Sequence, residues 1–414
     1  MTTDQNYQQI YRVGGMLDAG FVGQITYTIS LDQVYDELDI HFSFDKRLYS
    51  ESDVTPELID RLQTLCTAKY GAPTYPVEEF RQTILHEMKT EIHTMAELND
   101  DFIGCIHRQL TDRHMLYTKE FTSDGCLAQD TFSGVLKVTV LVFNVLLDNT
   151  QYTLTVSGHP VGHGVIAPNF NLMDTVKTAA GNAGASNAAG SADNSCDAES
   201  APASAVATAG SSDVSGAGSA AMAGDSSTTG SSSAGNTVTA STRFKRLELH
   251  NHTVESDGSL TCQELTEYLA ADHVDAFAIT DHNTTSGQKK IEQLLEEKHY
   301  PISLIRGMEY TTYFGHILCL NLSKYVPWNS IDQHRPELLF EAARKKGALV
   351  GIAHPFSYGD PFARGCRFEM TISDYSKVDF IEIFNNPEPL HEVNERGTNL
   401  WMSLIFSGYQ ITAT

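Results

Sequence analysis

Positive charge is scarce in this sequence of 414 residues, in which 28 Lys and Arg stand against 52 Asp and Glu for a net charge of −24. Binding to nucleic acid or to an anionic membrane without sequence preference requires a positively charged face. The composition therefore predicts neither a nucleic-acid partner nor a membrane partner.

Paired cysteines and long apolar runs are also missing. The seven cysteines are scattered and form no C-x-x-C pair, which argues against a disulfide framework and favours a cytoplasmic location. The longest apolar run, 138–147, is interrupted by Thr139 and Asn144 and is shorter than the roughly 20 residues of a membrane helix. The first residues contain no charged segment followed by an apolar one, so we expect no signal peptide.

One long segment that lacks basic and aromatic residues divides the chain into two predicted domains. No Lys or Arg occurs between Lys177 and Arg243, no aromatic residue occurs between Phe170 and Phe244, and Ala, Gly, Ser and Thr dominate there. Such a segment cannot bury enough apolar area to offset its ordering entropy. The predicted domains are an α+β domain of unknown function and unknown partner at 1–170, a disordered linker at 171–242 and a second domain at 243–414.

The N-terminal segment mixes strand and helix patterns. Alternating apolar residues predict strands at 25–31, 38–44, 136–140 and 152–156, with the first two paired as a hairpin. Apolar residues spaced by three or four predict one helix from Val77 to Leu98, after a shorter helix at 56–69. We find no convincing site in this domain.

From residue 243 onward, strand patterns alternate with helix patterns. Strands are predicted at 247–250, 276–280, 302–305, 315–322, 348–353, 379–384 and 410–413. Helices are predicted at 261–271, 289–297, 336–346 and 390–406. Repeated β–α units with apolar strands predict a parallel sheet, most simply a closed barrel.

Histidines and carboxylates cluster where these strands end. In chain order they are His250, His252, Asp257, Asp281, His282, Glu309, His316 and His354. The active site of a β/α barrel lies where the strand C-terminal ends meet. Histidine and carboxylate ligands without cysteine suit Zn²⁺, Mn²⁺ or Fe²⁺. These ligands exceed what one ion needs, so we expect two or three divalent metal ions.

The motifs that carry these residues resemble those of a known family. Leu-His-Asn-His-Thr, Ile-Thr-Asp-His-Asn, Gly-Met-Glu, Gly-His and Ala-His-Pro resemble in order and spacing the motifs of the PHP (polymerase and histidinol phosphatase) family. The sequences of these motifs are most similar to those of its CehA/McbA-like branch, and the resemblance covers about residues 245–414. It implies a distorted (β/α)7 barrel with a trinuclear metal centre that hydrolyses phosphoesters through metal-activated hydroxide.

The resemblance also implies a set of metal ligands. Grouped by metal, they are His250, His252 and Glu309 for the first, Glu309, His316 and His354 for the second, and Asp257 and His282 for the third. The family pattern ends on a Gly-Thr-Asp-x-His motif, which does not occur before the sequence stops at Thr414. We therefore expect an incomplete barrel that lacks its last strand and helix and holds fewer than three metals.

The catalytic residues are implied by the same resemblance, whereas the substrate-binding candidates follow from the loop after the Ala-His-Pro motif. The expected catalytic residues are Asp281, His282 and His354, with Asp281 orienting a metal-bound imidazole. Arg364 and Arg367 are candidates for gripping a substrate phosphate.

Three functions stay open. The leading one is a metal-dependent phosphoesterase that acts on a small phosphorylated molecule. The same hydroxide could attack a carbonyl, which makes a carboxyl or carbamate ester hydrolase the second. The third is a non-catalytic interaction protein with a remnant barrel. Proofreading exonuclease activity, known elsewhere in the family, is not expected because no basic track for a nucleic-acid strand is visible.

Overall fold

The computed structural model describes residues 7–161 and 244–414, apart from short gaps at 46–47, 71–76, 87–89, 147, 330, 333, 360–362, 386–387 and 389. The predicted linker at 171–242 lies outside these residues. Two seven-stranded sheets form the framework, the first within residues 8–160 and the second within residues 247–413. The mixed α/β character predicted from the sequence is confirmed.

The first sheet is entirely antiparallel. Its strands are β1 (Gln8–Leu17), β2 (Gly23–Phe44), β3 (Thr90–Leu98), β4 (Asp101–Ile106), β5 (Asp112–Tyr117), β6 (Phe132–Val145) and β7 (Thr150–Pro160). They lie in the order β1-β7-β2-β6-β3-β4, and β5 also pairs with β2. Two helices, α1 (Pro56–Tyr70) and α2 (Val77–His86), follow β2.

The hairpin predicted from 25–31 and 38–44 is wrong, because both segments belong to the single 22-residue strand β2. Its first half pairs with β6 and its second half with β7, with a register irregularity between Leu31 and Tyr35. The intervening residues contain no Gly or Asn, which tight hairpin turns favour. The strand therefore bends and continues.

The single helix predicted from Val77 to Leu98 is also wrong, since α2 ends at His86 and β3 begins at Thr90. Ile92 packs in the core of the first sheet, whereas Met95 packs on the opposite face against the second half of the chain. Both faces of β3 are buried, so its apolar residues do not alternate strictly. Their spacing imitated that of a helix.

The second sheet follows the predicted alternation of strands and helices. Its strands are β8 (Leu247–Glu248), β9 (Ala276–Ile279), β10 (Ser303–Thr312), β11 (Gly315–Leu320), β12 (Leu349–Ile352), β13 (Phe380–Ile381) and β14 (Thr412–Ala413). Its helices are α3 (Cys262–Ala271), α4 (Ser286–Lys298), α5 (Glu337–Arg344) and α6 (Glu392–Phe406), with a short 3-10 helix at Tyr375–Lys377. Among the residues described, none of the helices is long and apolar enough to cross a membrane.

The uniformly parallel sheet predicted for this region is wrong. Strand β11 runs antiparallel to both β10 and β12, while the other neighbouring strands are parallel. Only Tyr313 and Phe314 link β10 to β11, which permits a hairpin but no crossover helix. Among the described strands the pairing runs as an open path from β14 to β8. The closed (β/α)7 barrel therefore stays a prediction.

One hydrophobic core joins the two sheets. Phe143 of β6 is fully buried, and its ring centroid lies 4.7 Å from that of Tyr313 and 6.3 Å from that of Trp328. Phe102 of β4 stacks on Tyr325 with ring centroids 4.0 Å apart. Aromatic pairs of this kind carry much of the energy of an interface. The first sheet is thereby held directly against the second.

We expect Phe143→Ala to lower the free energy of unfolding by about 3–5 kcal/mol, because a fully buried aromatic ring leaves a cavity that its neighbours fill only partly. Circular dichroism during urea unfolding measures the loss. Phe121→Ala is the matched control, since Phe121 is 55% exposed and its loss should change stability by less than about 0.5 kcal/mol. Equal effects of the two variants would contradict the shared core.

Candidate metal centre

Glu309 lies at the centre of the predicted ligand set. The sequence pattern put it after a strand, but it lies within β10, and it is 0% exposed. A β-bridge pairs it with His282, and its carbonyl oxygen accepts the N–H of Asn283 at 2.9 Å. A buried carboxylate is costly unless positive or hydrogen-bonding groups surround it. Histidine side chains provide those groups.

The first two histidines converge on one oxygen of this carboxylate. Nε2 of His250 lies 2.9 Å and Nε2 of His252 lies 3.2 Å from Oε2 of Glu309. The two Nε2 atoms are 3.1 Å apart. The structure thus brings together the three residues expected at the first metal.

A second pair of histidines converges on the other oxygen. Nδ1 of His316, at the start of β11, and Nε2 of His354, after β12, each lie 3.0 Å from Oε1 of Glu309. These two nitrogens are 3.3 Å apart. Glu309 therefore presents one oxygen to each histidine pair, which is the geometry of a bridging carboxylate.

Both triads fit a divalent ion. In a tetrahedral zinc site, bonds of about 2.0–2.1 Å place neighbouring ligand atoms about 3.3 Å apart. The separations within the two triads, 2.9 to 3.3 Å, are close to that value. Nitrogen and oxygen donors without sulfur suit zinc, manganese or iron. The identity and number of the ions stay a prediction.

His282 lies close to three side chains. Its Nδ1 lies 2.5 Å from Oγ1 of Thr311 and 3.2 Å from Oε2 of Glu309. Its Nε2 lies 3.5 Å from Oδ2 of Asp257. With the proton on Nδ1 donated to Thr311, Nε2 keeps its lone pair for a metal beside Asp257.

His107 was missed by the sequence analysis, which found no site in the N-terminal domain. Its Nε2 lies 3.4 Å from Oδ2 of Asp257, and its ring stacks on that of His282 with centroids 4.1 Å apart. His107 directly follows β4. The only available signal was this position at a strand end, which an isolated histidine shares with many structural ones.

Glu382 was also missed, although it lies within the strand pattern at 379–384 and directly follows β13. Its Oε1 lies 3.0 Å from Nδ1 of His250 and accepts Nδ2–H of Asn385 at 3.0 Å. Its Oε2 accepts the backbone N–H of His354 at 2.9 Å, which holds that residue at a φ of +25°, an uncommon value for a side-chain-bearing residue. Burial raises the pKa of Glu382, but the neighbouring His250 outweighs burial and brings it to about 2.

Asp281 lies beside the loop that follows His252. Its Oδ1 accepts the N–H of Thr253 and the hydroxyl of Ser256, both at 2.7 Å, and its Oδ2 accepts the Thr253 hydroxyl at 2.9 Å. The expectation was that Asp281 orients an imidazole. These bonds instead make it the anchor of the loop that carries Asp257.

Arg364 and Arg367 lie on the loop after His354. Nδ1 of His354 is 3.2 Å from the Cys366 carbonyl oxygen, so this loop adjoins the second triad. The backbone N–H of Arg364 donates to the buried Glu91 of β3 at 3.2 Å. Nε of Arg364 is buried and has no hydrogen-bond partner among the described residues.

Electrostatics keep the central carboxylate ionised. Burial raises the pKa of Glu309, but the imidazoles of His250, His282 and His316 outweigh burial and hold that pKa well below its usual value. The ionised carboxylate is the form that binds metal.

Comparison with known proteins adds relatives for parts of the chain. Residues 7–160 match the model of a family of unknown function, DUF6669. The chain is 34% identical over 133 residues to the 5′-3′ exoribonuclease Rnm of Escherichia coli, a match that covers 28% of this chain and 45% of that protein. It is 36% identical over 87 residues to a 5′-3′ exoribonuclease of Haemophilus influenzae, with coverage of 20% and 31%. The chain spans less than half the length of each relative.

A solved structure is also similar. It is a two-domain protein from Bacteroides vulgatus that contains a predicted PHP-like metal-dependent phosphoesterase, with 20% identity, a TM-score of 0.31, and coverage of 40% of this chain and 50% of that one. At this TM-score the likeness carries no argument about the present chain.

The names of the relatives overturn one prediction. The absence of a nucleic-acid partner was expected from the charge of −24, and a small-molecule substrate was expected from the PHP-like motifs. This expectation is wrong because relatives of the chain are named exoribonucleases. Net charge describes the whole chain, whereas bound cations are the largest charges within a metal site. An acidic protein can therefore meet a phosphate backbone at such a site.

We expect Glu309→Gln to release metal from both triads, since it removes the charge that both histidine pairs share while keeping the size of the side chain. Elemental analysis of the purified, dialysed protein measures the content. Glu382→Gln is the graded comparison, because Glu382 positions His250 and the backbone of His354 without belonging to either triad, and its loss should weaken affinity about 10- to 100-fold. Full metal content in Glu309→Gln would contradict the bridging role.

Proposed function

We propose that this chain is a metal-dependent phosphodiesterase that hydrolyses RNA. One observation carries the proposal: two histidine pairs face the two oxygens of the same buried carboxylate, Glu309. Ions that share a bridging ligand clamp the attacking and leaving oxygens of a phosphoryl centre. The PHP-like motifs around these residues favour the same chemistry, and assignment to the CehA/McbA-like branch stays a prediction.

The substrate class is supported by the relatives. Two of them are named 5′-3′ exoribonuclease, and the bond that such an enzyme breaks is a phosphodiester. This bond belongs to the phosphoester class that the motifs imply. We therefore extend the proposal to release of nucleotides from the 5′ end of an RNA strand.

Each residue of the centre then has a separable task. Divalent ions, when bound, lower the pKa of water and neutralise phosphate oxygens. His250, His252, His316 and His354 hold those ions against Glu309. Glu382 keeps the ring of His250 and the backbone of His354 in place, and Asp281 fixes the loop that presents Asp257. Of the expected catalytic residues, His282 and His354 thus act as ligands and Asp281 as a positioning residue.

The RNA strand needs at least one cationic contact beside the metals. Arg364 is the candidate, because its loop adjoins His354 and its Nε is buried without a hydrogen-bond partner among the residues described. A phosphate oxygen would satisfy that donor. Arg367, three residues further along the same loop, is the second candidate.

We expect Arg364→Ala to raise KM about tenfold or more, because a hydrogen bond to a charged group contributes about 1.5–3 kcal/mol. Initial rates against RNA concentration measure this. Arg364→Lys is the conservative variant and should recover part of the binding, since it restores the charge but not the planar donor set. An unchanged KM in Arg364→Ala would remove this residue from the binding site.

The activity itself is tested with a 5′-phosphorylated RNA oligonucleotide and the metal-replete chain. We expect mononucleotides to appear, chelation to stop the reaction, and His252→Ala to slow it at least about 100-fold, since metal catalysis contributes several kcal/mol. His159→Ala is the control, because His159 pairs with Asp36 on the first sheet and belongs to no triad.

Two alternatives are outcomes of the same experiment. Hydrolysis of a carboxyl or carbamate ester, with RNA and small phosphoesters intact, would contradict phosphodiester chemistry and favour the ester hydrolase. A chain that holds no metal and hydrolyses no substrate would favour the non-catalytic interaction protein.

A further inference from the structure

We propose that the N-terminal domain completes the metal centre by supplying His107 as a ligand, with Asp257 and His282, of a further divalent ion. The inference rests on the proposed metal-dependent function, since it adds a ligand from the N-terminal domain to the third metal position that the motif resemblance implies. It also assigns a role to a domain whose matching family model is described as of unknown function.

Three donor atoms converge at this position. Nε2 of His107 lies 3.4 Å and Nε2 of His282 lies 3.5 Å from the same oxygen of Asp257, Oδ2. Ligand atoms around a tetrahedral zinc ion lie about 3.3 Å apart. The set matches the donor types and spacing of the two triads at Glu309.

A simple ion pair explains these distances less well. A charged N–H···O hydrogen bond between imidazolium and carboxylate is about 2.7–2.9 Å long. Both contacts of Asp257 are longer than this, and two imidazoles approach the same oxygen. An ion bound by all three groups accounts for two separations that are nearly equal, 3.4 and 3.5 Å, and longer than a charged hydrogen bond.

Packing holds His107 in the orientation that a ligand needs. The residue is 8% exposed, and its ring lies between those of His93, at 4.2 Å, and His282, at 4.1 Å. His93 is fully buried in the first sheet and packs in turn on Phe143 with centroids 4.2 Å apart. The N-terminal domain therefore fixes the imidazole before any ion arrives.

The same domain also holds the loop that carries Asp257. On one side of Asp257, a side-chain nitrogen of Arg108 donates to the Gly258 carbonyl at 2.5 Å. On the other side, Oε2 of Glu255 accepts the N–H of Gly125 at 3.1 Å, and Thr284 donates to the Gly125 carbonyl at 2.9 Å. Residues on both flanks of Asp257 are thus bonded to the N-terminal domain.

The carboxylate of this site lies nearer to solvent than the carboxylate shared by the triads. The side chain of Asp257 is 45% exposed, whereas that of Glu309 is 0% exposed. An ion at Asp257 would therefore be reachable by an incoming phosphate group. The N-terminal domain would contribute to the reactive end of the site rather than to its interior.

The first test is elemental analysis of the full-length chain after saturation with zinc and removal of free metal. We expect His107→Ala to hold about one metal equivalent less than the unchanged chain, while the triads keep theirs. His159→Ala is the matched control, since it removes another histidine of the first sheet, and it should keep the full content. An unchanged metal content in folded His107→Ala overturns the inference.

The second test replaces the imidazole with a thiol, because thiolate is itself a metal ligand. In the cobalt-substituted His107→Cys chain we expect a sulfur-to-cobalt charge-transfer band in the near ultraviolet that is absent from the cobalt-substituted parent. Absence of the band, with cobalt bound at the triads, overturns the inference. This variant also decides the matter if His107→Ala does not fold.

The outcomes separate this inference from the proposed function. A parent chain that binds no divalent metal refutes both. Full metal content in His107→Ala, together with RNA hydrolysis by the parent chain, refutes only the role of His107. Loss of one equivalent and a charge-transfer band support the site whatever the substrate proves to be.

Discussion

The burial of one carboxylate dominates this structure. Glu309 lies within a strand and is wholly removed from solvent, which costs several kcal/mol if no positive charge accompanies it. Five histidines from three other chain segments and from the adjacent strand surround its two oxygens. Divalent ions held between them would remove the remaining cost. The buried negative charge of Glu309 therefore makes metal binding at this point electrostatically favourable.

Hydrogen bonds to two further carboxylates hold the candidate metal ligands in position. Glu382 spans His250 and the backbone of His354, while Asp281 closes the loop after His252 through three hydrogen bonds. Groups of this kind orient ligands and tune their basicity. Each of the two carboxylates links residues that follow different strands, so each also fixes the position of one strand end relative to another.

The two halves of the chain pack together beside one cluster of histidines and carboxylates. The first sheet packs against the second through aromatic residues such as Phe143 and Tyr325, and the polar contacts at Gly125 and Gly258 lie on the same side as His107. The proposed phosphodiester substrate would need local cations in such an acidic chain. Bound metal ions would supply them, because their charge dominates the field at short range.

The ligand chemistry could be predicted from the sequence because it is local. His250 and His252 follow β8 two residues apart, a spacing that places side chains on one side of an extended backbone. The motifs also identify the segments that carry the ligands, although Glu309 lies within β10 rather than at its end. Two features could not be predicted from local sequence patterns, because they depend on tertiary contacts. Strand β3 imitated a helix because the second half of the chain covers its outer face, and His107 meets Asp257 across a separation in sequence of 150 residues. A pairing between such distant residues arises only from the packing of the two sheets, so no periodicity in the single sequence encodes it.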